Sequence, residues 1–330
     1  MIRPAIFLGV LAALPSMSHA QGIQFDGAAT LGYNFNTISG IPGTDLTLNG
    51  ASLDFEGDLT FSEQFSLGLG FGFSSGDLEV GGTPLSANID LLSLSVEPVY
   101  NFGNGGYVGA YYRMGDLDLA LLGPITVGID TSQYGIFGGY DFGQGHVEAF
   151  YGVSDIEPGS LIPVGLGVDV TDYGVSGAYE ISPQLDVYAA VLRTDIDGSG
   201  GFSLPVTTFS IGADYAINDE FMVYGAVGRT NIGLSELGPI DDVLATGLTL
   251  GASYDLSAAA SMPLILSAEY SHTVIDGGAL FGGIEPTVDR FALGLTIPIG
   301  NNGSSTPLNS NTRTARGDYR SALSSVINSF

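Results

Sequence analysis

The residues of this sequence whose types and spacing could do chemistry are carboxylates at every second position. Asp54, Glu56 and Asp58 alternate with Leu, Phe and Gly residues. Successive side chains of a β-strand point to opposite faces, so these acids share one face and the apolar residues take the other. A row of charges is too costly to bury in a soluble core or to expose to lipid, and it must face water. The spacing predicts a strand between water and an apolar phase.

The same alternation, followed along the other strands, assigns further charged residues to the water-facing wall. The predicted pore-lining residues are Asp54, Glu56, Asp58, Glu97, Arg113, Glu148, Asp172, Glu180, Asp186, Asp214, Asp255, Glu269 and Arg290. A lumen lined mainly by one sign of charge concentrates counterions, and rings of carboxylates favour cations. We therefore predict a cation preference. The alternative is that these acids are only solvated wall residues.

Composition excludes several classes of function. The chain has a formal net charge of −27, contains 50 Gly and no Cys or Trp, and is 45% hydrophobic. Nucleic acid binding requires clustered cations, which this charge does not provide. The absence of Cys excludes thiol catalysis and Cys-based metal sites, and no zinc spacing or nucleotide motif occurs, so no metal or cofactor is predicted. High acidity combined with net hydrophobicity requires two separated faces.

Similar turns recur about every 40 residues, which indicates a repeated supersecondary unit. They are short, polar and flanked by aromatic residues, as in 61–65, 100–107 and 140–146. The pattern predicts an all-β fold: a transmembrane antiparallel up-and-down β-barrel with short periplasmic turns and about 14 strands, or else 12 or 16. The predicted strand pairs are 23–38/44–61, 65–78/87–102, 107–119/125–142, 146–156/165–181, 185–196/204–217, 221–234/242–256 and 264–276/287–299.

The aromatic residues beside these turns are predicted to form an interfacial girdle. Its expected members are Tyr100, Tyr107, Tyr140, Tyr179, Tyr215, Phe221, Tyr224 and Tyr254. Gly, Ser and Thr are expected to dominate the inward wall. Tyr111, Tyr188 and Tyr224 are weak candidates for an aromatic ladder inside the lumen. Arg193 and Arg229 share the parity of the lipid-facing rows; they either meet lipopolysaccharide phosphates or turn inward at a bulge.

The two ends of the chain do not fit the barrel pattern. Residues 1–20 combine Arg3, a short apolar core and a small-residue site ending at Ala20, which is typical of a cleaved signal peptide. Residues 21–300 form the predicted outer-membrane barrel, exported in a Gram-negative bacterium. Residues 301–330 form a polar tail that is periplasmic or partly helical.

The tail has two interpretations. Thr312–Phe330 is predicted as an amphipathic helix, with Tyr319, Leu323, Val326, Ile327 and Phe330 near one stripe. Arg313, Arg316 and Arg320 give it a positive charge beside an acidic lumen. The tail either enters the lumen and narrows it, or is disordered and presents Phe330 to the assembly machinery.

In its predicted signal peptide, its opening strand Ile23–Tyr33, its acidity and its final Phe330, the chain resembles the general porins of alphaproteobacteria. The resemblance implies passive diffusion of small hydrophilic solutes and ions, contact with outer-membrane lipids and lipopolysaccharide, and a homotrimer. Those porins usually have sixteen strands, a long third loop inside the pore and a last strand that ends in Phe. Here the third loop, about 117–124, is too short, and a polar tail follows Ile299.

Two other functions compete with a diffusion channel. A structural or adhesive barrel would have no open pore. A barrel enzyme would need a His beside Ser or Asp. His272 is close to Glu269 and Ser271 along the chain, but the alternation places it on the other face, and His146 lies at a turn. We therefore predict that the protein is not an enzyme.

Overall fold

One sheet of fourteen antiparallel strands closes on itself, because β1 pairs with both β2 and β14. The strands of this computed structural model are β1 Gln24–Ile41, β2 Thr44–Ser62, β3 Phe65–Val80, β4 Ser86–Asn101, β5 Gly106–Leu121, β6 Ile125–Asp141, β7 Gly145–Pro158, β8 Val168–Ser182, β9 Leu185–Gly198, β10 Ser203–Ala216, β11 Phe221–Ile232, β12 Val243–Asp255, β13 Ile265–Asp276 and β14 Thr287–Ile299. The structure describes residues 22–41, 43–83, 86–121, 125–158, 168–198, 201–234, 241–260, 262–278, 282–300 and 306–327. The predicted fold class and the count of fourteen are confirmed.

The two faces of the sheet follow the predicted alternation. Large apolar side chains cover the outside, where Ile136 is 63% exposed and Leu250 is 58% exposed. Small and polar side chains occupy much of the inside, where Thr30 and Thr296 are fully buried and hydrogen-bonded to each other at 2.8 Å. A closed sheet leaves no unpaired edge in the lipid, which is why a barrel can carry this apolar band across a membrane.

The barrel has an aromatic end, where the turns after β2, β4, β6, β8, β10 and β12 lie, and a loop end, where the other hairpins lie. Tyr140 and Tyr215 are each 49% exposed on the outside near the aromatic end. Two predicted girdle members were wrong: Tyr107 and Tyr224 point inward. Each lies one position from an outward valine, Val108 or Val223, so its parity places it on the inner wall.

Helices are few. Within the described residues there are α1 Ser257–Ala260, α2 Arg313–Arg316 and α3 Ala322–Ile327. No helix in the described ranges is long and apolar enough to cross a membrane. The helices α2 and α3 belong to a segment, residues 306–327, whose contacts are made with the inner wall of the barrel.

Candidate channel lumen and its C-terminal segment

The structure places every predicted pore-lining residue on the inward face of its strand. In β2, Asp54 lies opposite Thr30 of β1 and Gly72 of β3, and both neighbours point inward as well. Alternation then carries Glu56 and Asp58 to the same face. The remaining residues, Glu97, Arg113, Glu148, Asp172, Glu180, Asp186, Asp214, Asp255, Glu269 and Arg290, have inward parity in their own strands. Their role in conduction stays a prediction.

Two ion pairs are built into the wall itself. Arg113 donates to Glu97 at 2.6 Å across β4 and β5. Arg290 donates to Glu269 at 2.7 Å across β13 and β14, and both side chains are only 3% exposed. Burying a charge is tolerated only when it is paired and further hydrogen-bonded. The second requirement is met for Arg290 by Asn34 of β1 at 3.0 Å.

Residues 306–312 of the tail lie against this second pair. Leu308 N donates to Thr30 Oγ1 at 3.0 Å, and Asn309 O accepts a hydrogen bond from Arg290 at 2.5 Å. Ser310 Oγ and Asn311 N both donate to Glu269. The buried charges of β13 and β14 thus use the backbone of the tail as part of their hydrogen-bond shell. Residues 306–312 are thereby fixed to the inner wall.

The three tail arginines then reach three different parts of the acidic wall. Arg313 pairs with Glu56 of β2 and with Asp318 of the tail itself at 2.8 Å. Arg316 pairs with Asp214 of β10 at 2.5 Å. The pairs connect strands on opposite sides of the barrel through one segment of chain. Arginines of the same chain therefore neutralise part of the acidic wall.

Arg320 has the richest surroundings of the three. It pairs with Glu148 of β7 and with Glu97 of β4 at 3.2 Å. Its guanidinium lies over the ring of Phe137 at 4.5 Å from the centroid. A similar contact joins Arg316 to the ring of Tyr188 at 4.3 Å. Cations stacked on aromatic rings gain electrostatic attraction, and more of it when they are desolvated.

The tail arginines stay charged throughout the physiological range. Burial disfavours each charged guanidinium, but the facing carboxylates outweigh this and raise the pKa of Arg313, Arg316 and Arg320 above the ordinary value. An equilibrium between docked and undocked tail cannot therefore be driven by loss of charge on the arginines.

The tail is not the single amphipathic helix predicted for 312–330. The described part contains two short helices, α2 and α3, and residues 328–330 lie outside it. Gly317 ends α2 with φ of 83°, a left-handed conformation that glycine adopts at little cost. A β-carbon there would also collide with Ser176 Oγ. The break lets α3 leave the direction of α2 and pack on a different part of the wall.

The helix α3 packs on β9 and β10 around a buried polar group. Asp172 of β8 is fully buried and accepts hydrogen bonds from Gln133 at 2.9 Å and from Thr194 at 2.5 Å. Gln133 also donates to Arg320 O at 2.7 Å, and Ala322 N donates to Thr194 at 3.0 Å. Asp172 thereby orients the groups that hold the start of α3.

Among the described residues, spaces remain between the tail and the wall. A polar cavity of about 760 Å³ near the aromatic end is lined by Asp58, Asp186 and Arg316. A smaller one of about 280 Å³ lies beside Arg113 and Arg320. A third, of about 490 Å³, lies toward the loop end. The lumen is narrowed by the tail and is not filled by it.

The third cavity corrects the expectation that Gly, Ser and Thr dominate the inner wall. Near the loop end the inward residues of β1–β5 are largely Leu and Ile, among them Leu48 and Leu91. Sequence reasoning missed them because it followed the acids, although the same alternation continued toward the loop end would have found them. This part of the lumen is apolar.

The sheet separates His272 from the two polar residues that are close to it along the chain. His272 faces outward and contacts Asp289 at 2.8 Å, while Glu269 and Ser271 face inward, as predicted. Arg193 is on the outside and pairs with Asp195 at 2.8 Å. Among the described residues no cluster of His, Asp and Glu could hold a metal ion.

Comparison with known proteins agrees with the barrel. Residues 39–199 match the family model of the Gram-negative porins. The fold is that of an outer-membrane β-barrel. No curated protein sequence matches the chain.

Solved structures of several outer-membrane proteins are similar in fold. The anion-selective porin from Comamonas acidovorans has a TM-score of 0.52 and 10% identity, over 84% of this chain and 99% of that chain. The deltaS2 mutant of TodX, a monoaromatic hydrocarbon channel, has a TM-score of 0.53 and 13% identity, over 88% of this chain and 94% of that chain. A FadL homologue from Pseudomonas aeruginosa has a TM-score of 0.51 and 12% identity, over 83% of this chain and 90% of that chain. At these identities the likeness concerns the fold.

Proposed function

We propose that this protein is an outer-membrane channel for passive diffusion of small hydrophilic solutes and ions, with a preference for cations. In this proposal the C-terminal segment narrows the pathway without closing it. The family match over residues 39–199 and the closed barrel support a channel. The observation that carries the proposal is the polar cavity of about 760 Å³ that remains beside the tail within an acidic wall.

Acids without an arginine partner support the preference for cations. Asp58 and Asp186 line the polar cavity, and among the described residues no arginine lies within ion-pair distance of either. Glu56 and Asp214, by contrast, are neutralised by the tail. A narrow space with uncompensated charge and low-dielectric walls concentrates counterions. Selectivity should therefore depend on Asp58 and Asp186 more than on the paired acids.

A structural barrel without an open pore is the second candidate. The observation that favours it is the depth of tail contacts, since Arg316 and Arg320 reach β10 and β7 across the lumen. Single-channel recording in a planar bilayer separates the two functions. Discrete open steps from the refolded full chain support the channel, and a folded barrel without steps supports the structural function.

Selectivity is tested by the reversal potential in a salt gradient. The double variant Asp58→Asn, Asp186→Asn should lower the cation preference, whereas the control Asp77→Asn, Asp116→Asn removes two acids that face outward. The difference should shrink at high salt, where screening shortens electrostatic reach to about 3 Å at 1 M. An anion-selective wild-type channel would contradict the proposal.

This function places the chain in the outer membrane of a Gram-negative bacterium, with residues 1–20 removed as a signal peptide. The outward apolar band would then contact outer-membrane lipids and lipopolysaccharide, and the resemblance to general porins implies a homotrimer. Fractionation, N-terminal sequencing and cross-linking of the native membrane test these three points. Recovery as a soluble periplasmic protein would refute the location.

A further inference from the structure

The loop-end half of the lumen differs chemically from the acidic wall below it. On β1–β5 the inward residues in this half include Ile38, Leu48, Leu78, Ile89, Leu91 and Leu117. A wall that only passed water and ions would gain nothing from such side chains, because apolar surface facing water is unfavourable. Their gathering on one side of the lumen points to an apolar occupant.

The tail closes the other side of this cavity. Tyr319, Val326 and Ile327 face the wall across a space of about 490 Å³. Sites for small molecules are commonly concave, mostly apolar and about 300–1,000 Å³ in volume, with a few polar groups that fix orientation. The cavity has the size and the composition of such a site, and it exists because the tail stands opposite the wall.

The polar end of the cavity offers an acceptor, and both arginines among its described lining residues are already in ion pairs. Arg290 is paired with Glu269, and Arg313 with Glu56 and Asp318. Asp54 also lines the cavity; its Oδ2 is buried without a hydrogen-bond partner, and no arginine of the described chain lies within ion-pair distance of it. A buried acceptor that is left unpaired is costly, and a ligand donor would relieve that cost.

We propose that this cavity binds a small molecule with an apolar body and one hydrogen-bond-donating end, an amine or a hydroxyl. The apolar body lies among the Leu and Ile side chains of β1–β5. The donor end meets the Asp54 carboxylate, and an ammonium group gains more there than a hydroxyl, because hydrogen bonds between charged groups are stronger. A carboxylate end is disfavoured by the same acid. This binding does not require the channel to conduct.

The test compares three probes that share one body: phenylbutylamine, phenylbutanol and phenylbutyrate. Each is titrated calorimetrically into the full chain in lipid nanodiscs, with empty nanodiscs as the blank. We expect saturable binding with the amine tightest, the alcohol next and the carboxylate weakest. Asp54→Asn should weaken the amine about tenfold and the alcohol much less, since the Asn side-chain oxygen still accepts a hydrogen bond and only the amine loses an attraction between opposite charges.

The apolar contacts are tested with a matched pair of variants. Leu48→Asn, or Leu91→Asn as a second variant, should weaken the amine and the alcohol by about tenfold, because a polar group then lines the apolar cavity. Leu119→Asn is the control: it changes an inward leucine of β5 that does not line the cavity, and binding should persist. Heat-modifiable migration shows that each variant is folded. Absence of saturable binding, tightest binding of phenylbutyrate, or equal loss in Leu119→Asn overturns the proposal, whereas loss of conductance alone leaves it intact.

Discussion

The two sides of the lumen meet the same tail in different ways. On the packed side, formed by the inward faces of β6–β10, Leu192 and Ala322 are fully buried together. On the open side, formed by the inward faces of β1–β5, the tail faces Leu48 and Leu91 across a cavity. Both sides hold a tail arginine in an ion pair: Arg320 pairs with Glu148 of the packed side and also reaches Glu97 of β4, and Arg313 pairs with Glu56 of the open side.

This difference indicates that ion pairs and close packing contribute differently to docking of the tail. Opposite charge is available on both sides, so it brings the tail into the lumen without choosing a side. Helix α3 packs closely on one of these two sides, where it contacts β9 and β10. Dispersion and apolar burial require contacting surfaces and disappear across a gap. The packed side should therefore hold the tail, and the open side should leave room for something else.

Removing the tail removes its contacts with both sides of the lumen, and this change should have the largest effect on conductance. Deletion of residues 302–330 from refolded protein should raise single-channel conductance severalfold and reduce current noise, because the three arginines and both helices leave the lumen. The control removes residues 328–330 alone and keeps every described tail contact. Unchanged conductance and noise in the long deletion would show that the tail does not restrict the pathway.

The second prediction removes one tail arginine at a time. Arg320→Gln should undock the tail more than Arg313→Gln, since Arg320 faces Glu148, whose side chain is 12% exposed, and Arg313 faces Glu56, which is 45% exposed. Breaking a pair with both partners buried costs about 3–5 kcal/mol, and a pair whose carboxylate is half-exposed to water should cost less.

Trypsin measures the difference, because the chain has only eight Lys and Arg residues and a docked tail hides three of them. Release of residues 321–330 in the Arg313→Gln variant, and of the longer 317–330 in the Arg320→Gln variant, is followed by mass spectrometry. Faster release from Arg313→Gln would show that the ion pairs of Arg313 hold the tail more strongly than those of Arg320, contrary to the prediction.

Much of the fold could be predicted from the sequence, because apolar and polar side chains alternate along each strand and this alternation assigns them to the two faces of the sheet. Asp54 and Glu97 were assigned inward without any partner being known. The partners of the tail could not be deduced in this way. Arg316 pairs with Asp214, 102 residues away in the sequence, and Gly317 ends the helix of Arg316 directly after it. Which wall residues the tail contacts depends on the three-dimensional fit between tail and wall, and neither the alternation of side chains nor their charge predicts that fit.

The smallest predicted effect tests shape without any change of charge. Helix α3 presents Ala322, which is fully buried, to the packed side, and Val326 to the cavity of the open side. Ala322→Val inserts two methyl groups where there is no space, and overpacking of this kind costs about 1–3 kcal/mol. Val326→Ala removes the same two groups beside a cavity and should cost about 0.5 kcal/mol, as for a weakly packed surface position. Both variants keep all tail arginines, so tryptic release of residues 321–330 reports docking on one scale. We expect release to be clearly faster in Ala322→Val and nearly unchanged in Val326→Ala. The opposite order would mean that contacts on the open side hold the tail in place. Close packing of Ala322 on β9 and β10 would then not be what docks the tail.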